Sequence, residues 1–351
     1  MVSDDRGEPG RGVTRSVPAG TSQQAMQTTA LEAFIAHSPD FADVVGTAPR
    51  LTKVVETDAH EGPVYVAEED ALYFTSLPRA VDGPVPGARS VAVRRLQLDG
   101  DRFPRSPGEV STLREPANMA NGMALGQDGC LLVCEEGTRL EPGRISRLDP
   151  RSGCTESVID AWQGLPLNSP NDVVHKSDGT IWFTDPSYGY LQGFKDEPQL
   201  GDYVYRYDPG SGRLEVVADG FDKPNGLAFS PDESVLYVGD SGAIHGPDEY
   251  SVQRPHHVLA FDVRDGRHVT NQRLLAVIAH GFPDGIKVDS AGRVYVSSFR
   301  GIEVFSPEGD PLGSIHLPGA VNFTFGGPDG NLLFITADNA IWVAVLQAVG
   351  R

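Results

Sequence analysis

The chain has 351 residues, 39% hydrophobic and 22% charged, with a net charge of −19. That excess of acid repels nucleic acid and anionic membranes, so neither is an expected partner, and no run is long and apolar enough to span a bilayer. The 40 Gly and 27 Pro fit a turn-rich, all-β globular protein.

Residues 1 to 28 are polar and Gly-rich and lack the apolar core of a signal peptide. They are expected to form a disordered tail, leaving residues 29–351 as a single domain. Thr29 to Ala36, TALEAFIA, predicts a short helix, and Leu51 to Val55 a strand. Glu61 then opens the first copy of a pattern: a polar residue, a short apolar run, a turn and a second apolar run. Asn121, Asn171, Asn225, Asp284 and Asn322 open five more. The copy at Asn171 carries an Asp178-Gly179 turn between β-prone runs, a hairpin signal. Irregular intervals of about 40 to 60 residues, each holding several short strands, predict a six-bladed β-propeller of four-stranded antiparallel blades.

Strand-like runs before the later copies read as the outermost strands of preceding blades. The last copy has only three strands before the chain ends, so Leu51 to Val55 is expected to supply its fourth and close the ring. The same topology puts the short hairpins on one face. The long connections after the second strands (Leu77 to Arg89, Glu135 to Arg144, Asp185 to Tyr203 and Ser241 to His257) lie on the other, beside the six opening residues. Cys130, Cys134 and Cys154 form no disulfide framework, and Cys130 and Cys134 lie about 13 Å apart along one strand. A cytoplasmic protein is expected.

Six inner strands bring six side-chain oxygen donors to one end of the axis, two of them carboxylates. Carboxylate and amide oxygens suit a hard divalent cation, Ca2+ first, with Zn2+, Mg2+ or Mn2+ as alternatives. The plain alternative is that Asn-Gly and Asp-Gly pairs are turns ahead of strands.

The motifs, taken together, resemble the SMP-30/gluconolactonase/LRE-like family of six-bladed propellers, which includes lactonases and diisopropylfluorophosphatase. The matching pieces are Glu61-Gly62-Pro63-Val64-Tyr65, Pro170-Asn171-Asp172-Val173-Val174, Trp182 to Gly189, Lys223 to Asp232, Leu236 to Ser241, and Phe282-Pro283-Asp284-Gly285-Ile286. The resemblance implies that Glu61, Asn171, Asn225 and Asp284 hold a catalytic Ca2+ or similar cation. It also implies a small-molecule substrate, with Asn121, Tyr188 and His257 as the residues expected to face it. Asp284, then Glu61, is the expected general base. Where many relatives carry His-Gly-Asn-Arg-Arg, this chain has Glu135-Glu136-Gly137-Thr138-Arg139, which separates it from the sugar-lactone pattern. The expected activity is metal-dependent opening of a lactone. A phosphotriesterase, or a ring-opening or isomerising enzyme of specialised metabolism on the same metal, is the alternative enzyme. A calcium-binding or protein-interaction propeller is the alternative without catalysis.

Overall fold

Residues 32–82, 88–99, 106–246 and 249–350 are described by a computed structural model of the chain. The expected tail, residues 1 to 28, lies outside them. Six four-stranded antiparallel sheets form the blades. Their inner strands are Glu61–Val66, Ala120–Leu125, Val173–His175, Pro224–Phe229, Ile286–Val288 and Asn322–Gly326, for blades I to VI. Each inner strand touches those of both flanking blades, so the sequence order runs once around a closed ring.

The second strands explain why the apolar runs are continuous and not alternating. Ala71–Thr75, Leu131–Glu135, Ile181–Asp185, Val294–Ser298 and Leu332–Thr336 are buried along their whole length. A strand packed on both faces cannot spare a polar side, as in other doubly covered sheets. Its two faces feed two different cores. Leu72 and Phe74 join the cluster between blades VI and I, whereas Tyr73 joins the one between I and II. Leu132 and Cys134 meet Ile181 and Phe183 between II and III, and Trp182 turns to Leu236 and Val238 between III and IV. Tyr237 packs with Val294 and Val296, and Tyr295 with Leu333 and Ile335. Thus the period-2 alternation of each second strand glues one blade to both neighbours. Full burial of each such side chain stabilises by about 1.5–3 kcal/mol.

Ring closure follows the expected scheme. Arg50–Ala59 is the outer strand of blade VI and pairs with Asp338–Val345, Leu51 opposite Ala344 and Val55 opposite Ile341. The predicted helix over Thr29 to Ala36 is corrected where the structure describes it. Phe34–Ala36 is a strand that adds a fifth member to blade V, with Ile35 opposite Ser314. The outer edge of Pro311–His316 offers unpaired backbone groups, and pairing with them outweighs a weak local helix preference. Phe41 and Val44, just beyond, seal the V–VI core.

Connections on the face that carries the six opening residues are long in blades I to IV and short in V and VI. Ser298 is followed almost at once by Gly301–Phe305, and Thr336 by Asp338–Val345. The rim of that face is therefore high on one side and low on the other.

Candidate active site at the tunnel mouth

Four of the six opening residues are followed by glycine, and the reason is close approach. A Cβ on Gly62 would lie 2.5 Å from the Asn121 carbonyl oxygen, and one on Gly122 2.5 Å from that of Asn171. On Gly226 it would lie 2.1 Å from the Asp284 carbonyl oxygen, and on Gly285 2.4 Å from Asn322 Oδ1. Each glycine is thus the seat for the next blade's opening residue. Only Gly62 among the four has a positive φ, so Gly122, Gly226 and Gly285 are not turn glycines. Where the pattern lacks glycine, other bonds hold the ring. Thr184 Oγ1 donates to the Asn225 carbonyl (2.8 Å), and Asn322 Nδ2 donates to Glu61 Oε2 (2.7 Å).

The strand pairing shifts register at the opening residue of three blades. Glu61 faces Thr75 but Val64 faces Tyr73, and the same extra residue occurs between Ala120 and Met123 and between Pro224 and Leu227. Such bulges re-aim a side chain away from the regular alternation. In blades III and V the ladder begins only after Asn171 and Asp284, at Val173 and Ile286.

Electrostatically the mouth is a crowd of carboxyls. Glu61 is buried, with Oε2 also accepting from Gly62 N–H at 3.2 Å. Burial pushes its pKa up, only partly opposed by His60 and Asn322. Asp284 keeps part of its surface open to a cavity, yet surrounding protein and the Glu61 charge raise it well above the carboxylate range, against the pull of His60 and the Asn225 amide. Asp172 is raised by burial; Lys287 Nζ, 3.9 Å away, opposes this, and Asp172 Oδ2 has no hydrogen-bond partner. Burial pushes His60 down, but its 2.8 Å hydrogen bond to Asp338 Oδ1 and the charges of Glu61, Asp338 and Asp284 carry it above its usual value.

The structure therefore gathers Glu61, Asn225 and Asp284, with Asn322 bonded to Glu61, while Asn171 joins the ring through its carbonyl, which accepts from Gly122 N–H at 2.8 Å. Among the described residues no group of three or more His, Cys, Asp or Glu forms a metal cluster. The candidate donor set is instead two carboxylates and two amides. Its chemistry fits a hard divalent cation, because a cation would stabilise the charged forms of Glu61 and Asp284 that burial, and for Asp284 the Glu61 charge, disfavour.

Of the residues expected to face substrate, Tyr188 is buried, its hydroxyl beside the side chains of Ser241 and Asn225. Burial and then the Asp284 charge raise its pKa, which puts it beside the ring. Asn121 Nδ2 donates to Glu136 Oε1 at 3.2 Å, and its Oδ1 is buried without a partner. His257 sits opposite Asp240 at the start of a third strand, with burial, Asp240 and His256 setting its pKa.

Two residues here were not picked out in the sequence. Glu136, next to Glu135, is buried at the mouth; burial pushes it up to about 8 despite Asn121 and Lys195. Asp338 reaches His60 from 278 residues away, a contact that no local pattern announces. At the ends of second strands, Asp185 and Asp240 hold loops, whereas the Glu135 carboxylate is bonded by the side chains of Arg114, Asn118 and Ser146. Asp185 accepts from the backbone N–H of Asn168 and Ser169 (2.9 and 2.7 Å). Asp240 does the same for Asp222 and Lys223 (3.0 and 2.9 Å).

Over residues 59–339 the chain matches the family described as the SMP-30/Gluconolactonase/LRE-like region. A gluconolactonase of Zymomonas mobilis is 33% identical over 292 residues, 80% of this chain and 76% of that protein. Lactonohydrolase oryL of Aspergillus oryzae is 30% identical over 301 residues, 80% of this chain and 66% of that protein. A solved gluconolactonase from Xanthomonas campestris superposes with a TM-score of 0.73 at 31% identity, covering 89% of this chain and 94% of that one. A calcium-binding regucalcin from Agrobacterium tumefaciens shares the fold, with a TM-score of 0.64 at 15% identity, covering 87% and 95%. The matched span contains all six inner strands and every opening residue, and the chain belongs to the SMP-30/gluconolactonase/LRE-like family.

Proposed function

We propose that this chain is a metal-dependent hydrolase that opens a lactone. The observation that carries the reading is the pair of carboxyls, Glu61 and Asp284, near enough that the Glu61 charge raises Asp284, each bonded by an amide, Asn322 and Asn225. Similarity to a gluconolactonase at 33% identity supports the substrate class.

Glu61, Asn171, Asn225 and Asp284 would hold the cation, with Ca2+ favoured by the all-oxygen donor set. When bound, it would polarise the lactone carbonyl and stabilise the oxyanion that forms there. Glu61 is kept in one orientation by Asn322 Nδ2 and Gly62 N–H, which suits a fixed ligand. Asp284 opens to the cavity, which suits a base that takes the proton of the attacking water. Asn121 Oδ1, buried and without a hydrogen-bond partner among the described residues, is a group free to bond the substrate, and Tyr188 lines the same side of the ring.

The substrate is a small molecule. A cytoplasmic setting is supported by the three free cysteines, one of them exposed. The deciding experiment is a panel of γ- and δ-lactones assayed with added Ca2+ and after chelation. The reading expects ring opening that chelation abolishes and Ca2+ restores. Hydrolysis indifferent to chelation would remove the metal from the mechanism, and no opening of any lactone would remove the activity.

A further inference from the structure

Beside Asp284 lies a cavity of about 250 Å3. Phe282, Phe299, Ala320 and Val321 line it, and Asp284 and His60 stand at its polar end. Its aromatic wall is built and not incidental. Phe282 and Phe299 meet edge to face with centroids 5.2 Å apart, and Tyr250 packs on Phe299 at 5.5 Å. The Tyr250 hydroxyl donates to the Gly281 carbonyl at 3.2 Å. A Cβ on Gly281 would come within 2.7 Å of the Phe299 ring, so this glycine, at φ +107°, is what lets the ring lie where it does. Phe299 nevertheless leaves 51% of its surface exposed, and Tyr250 40%. Large aromatics held open to solvent beside a catalytic carboxylate mark a surface that something apolar covers.

We propose that this cavity seats an uncharged, apolar substituent of the lactone, either one aromatic ring or an alkyl chain of about six carbons. The inference rests on the lactonase reading and narrows its substrate class. An apolar cavity of about 150 Å3 already takes benzene, so the volume is sufficient. The wall of Phe282, Phe299, Ala320 and Val321 offers no partner for sugar hydroxyls; the polar lining is limited to His60, Asp284, Ser298 and Asp338, so hydroxyls turned to the aromatic side would go unpaired and weaken binding. The low rim of blades V and VI leaves the cavity open at the top, so a chain longer than the cavity projects into solvent without a clash.

The test compares kcat/KM for δ-valerolactone, δ-decalactone, dihydrocoumarin and glucono-δ-lactone at saturating Ca2+, in the wild type and in Phe299→Ala. Phe299 is half exposed, so its loss leaves the blade cores intact, and a melting curve checks this. The expected result is at least about tenfold preference for δ-decalactone or dihydrocoumarin over δ-valerolactone, with that ratio falling about tenfold in Phe299→Ala. Phe299→Leu, which keeps apolar bulk, should retain most of the preference. Opening of glucono-δ-lactone with no preference for apolar substituents overturns the subsite and leaves the lactonase reading standing. An apolar preference that Phe299→Ala does not touch also overturns it. If no lactone is opened, both readings fall together.

Discussion

Adjacent glutamates at the end of one strand show how environment sets chemical state. Burial alone would raise Glu135, but Arg114, Ser146 and Asn118 bond its carboxylate and hold it below the usual range, with Arg144 Nη2 also at 2.7 Å. Glu136, one residue on, has only Asn121 bonded to its carboxyl among the described residues, and burial pushes it up to about 8. Its folded pKa lies above the ordinary 4.5, so its contribution to stability is fully present below about 4.5 and is lost as pH rises through about 8. Urea melts of chelated protein at pH 5 and pH 8.5 should show wild type losing up to a few kcal/mol across that window. Glu136→Gln should lose measurably less; an identical slope would show that Glu136 is charged in the fold. At Asp284 the prediction concerns catalysis. Asp284→Asn keeps an oxygen donor but removes a charge and the proposed base, so calcium affinity should fall. Turnover at saturating Ca2+ should drop on the order of 10² to 10⁴-fold. Full turnover once metal is restored would make Asp284 a ligand only and pass the role of base to Glu61.

Among structural elements, the inner strands and their glycines set the precision of the ring. Gly226 and Gly179 are both glycines for reasons that differ. Gly226 has the Asp284 carbonyl oxygen 2.1 Å from where a Cβ would stand, whereas Gly179 has open space around it but a φ of +87°. Gly226→Ala must push two inner strands apart, an overpacking cost of about 1–3 kcal/mol that also moves Asp284. Gly179→Ala, in the hairpin turn of blade III, should cost about 1–2 kcal/mol for its left-handed backbone and leave hydrolysis unchanged. Thermal melts and initial rates on the two variants check this. Equal activity in both would mean that ring spacing does not matter to the site.

For the whole molecule, closure is the weak point of a ring, because every blade depends on two neighbours. The strand Arg50–Ala59 completes blade VI, and Val54 and Val55 pack on the core shared by blades VI and I. Deleting Leu51 to Val55 exposes the edge of Asp338–Val345 and uncovers that core. The product should be insoluble or melt far below wild type, measured by calorimetry and sedimentation. A soluble, fully active deletion would show that the ring holds without this clasp.

How much of this was legible beforehand differs by the range of the forces involved. The second strands announced themselves, because burial on both faces demands uninterrupted apolar runs such as Ile181-Trp182-Phe183. Six such runs, each behind a polar opening residue, determined the blade number, the borrowed closing strand and the residues at the tunnel mouth. Local preference misled at Phe34–Ala36, where a free strand edge on blade V outweighs a helix-prone sequence. The glycine after four of the six opening residues was visible, but its purpose was not. A turn and a close approach look alike in sequence, and only the neighbouring blade shows which applies at Gly226. The His60–Asp338 pair, buried Glu136 and the aromatic wall of Tyr250, Phe282 and Phe299 were decided by tertiary structure alone. Each joins residues from separate blades or loops, and a side chain's burial and partners there follow from how the ring closes, which no stretch of neighbouring residues encodes.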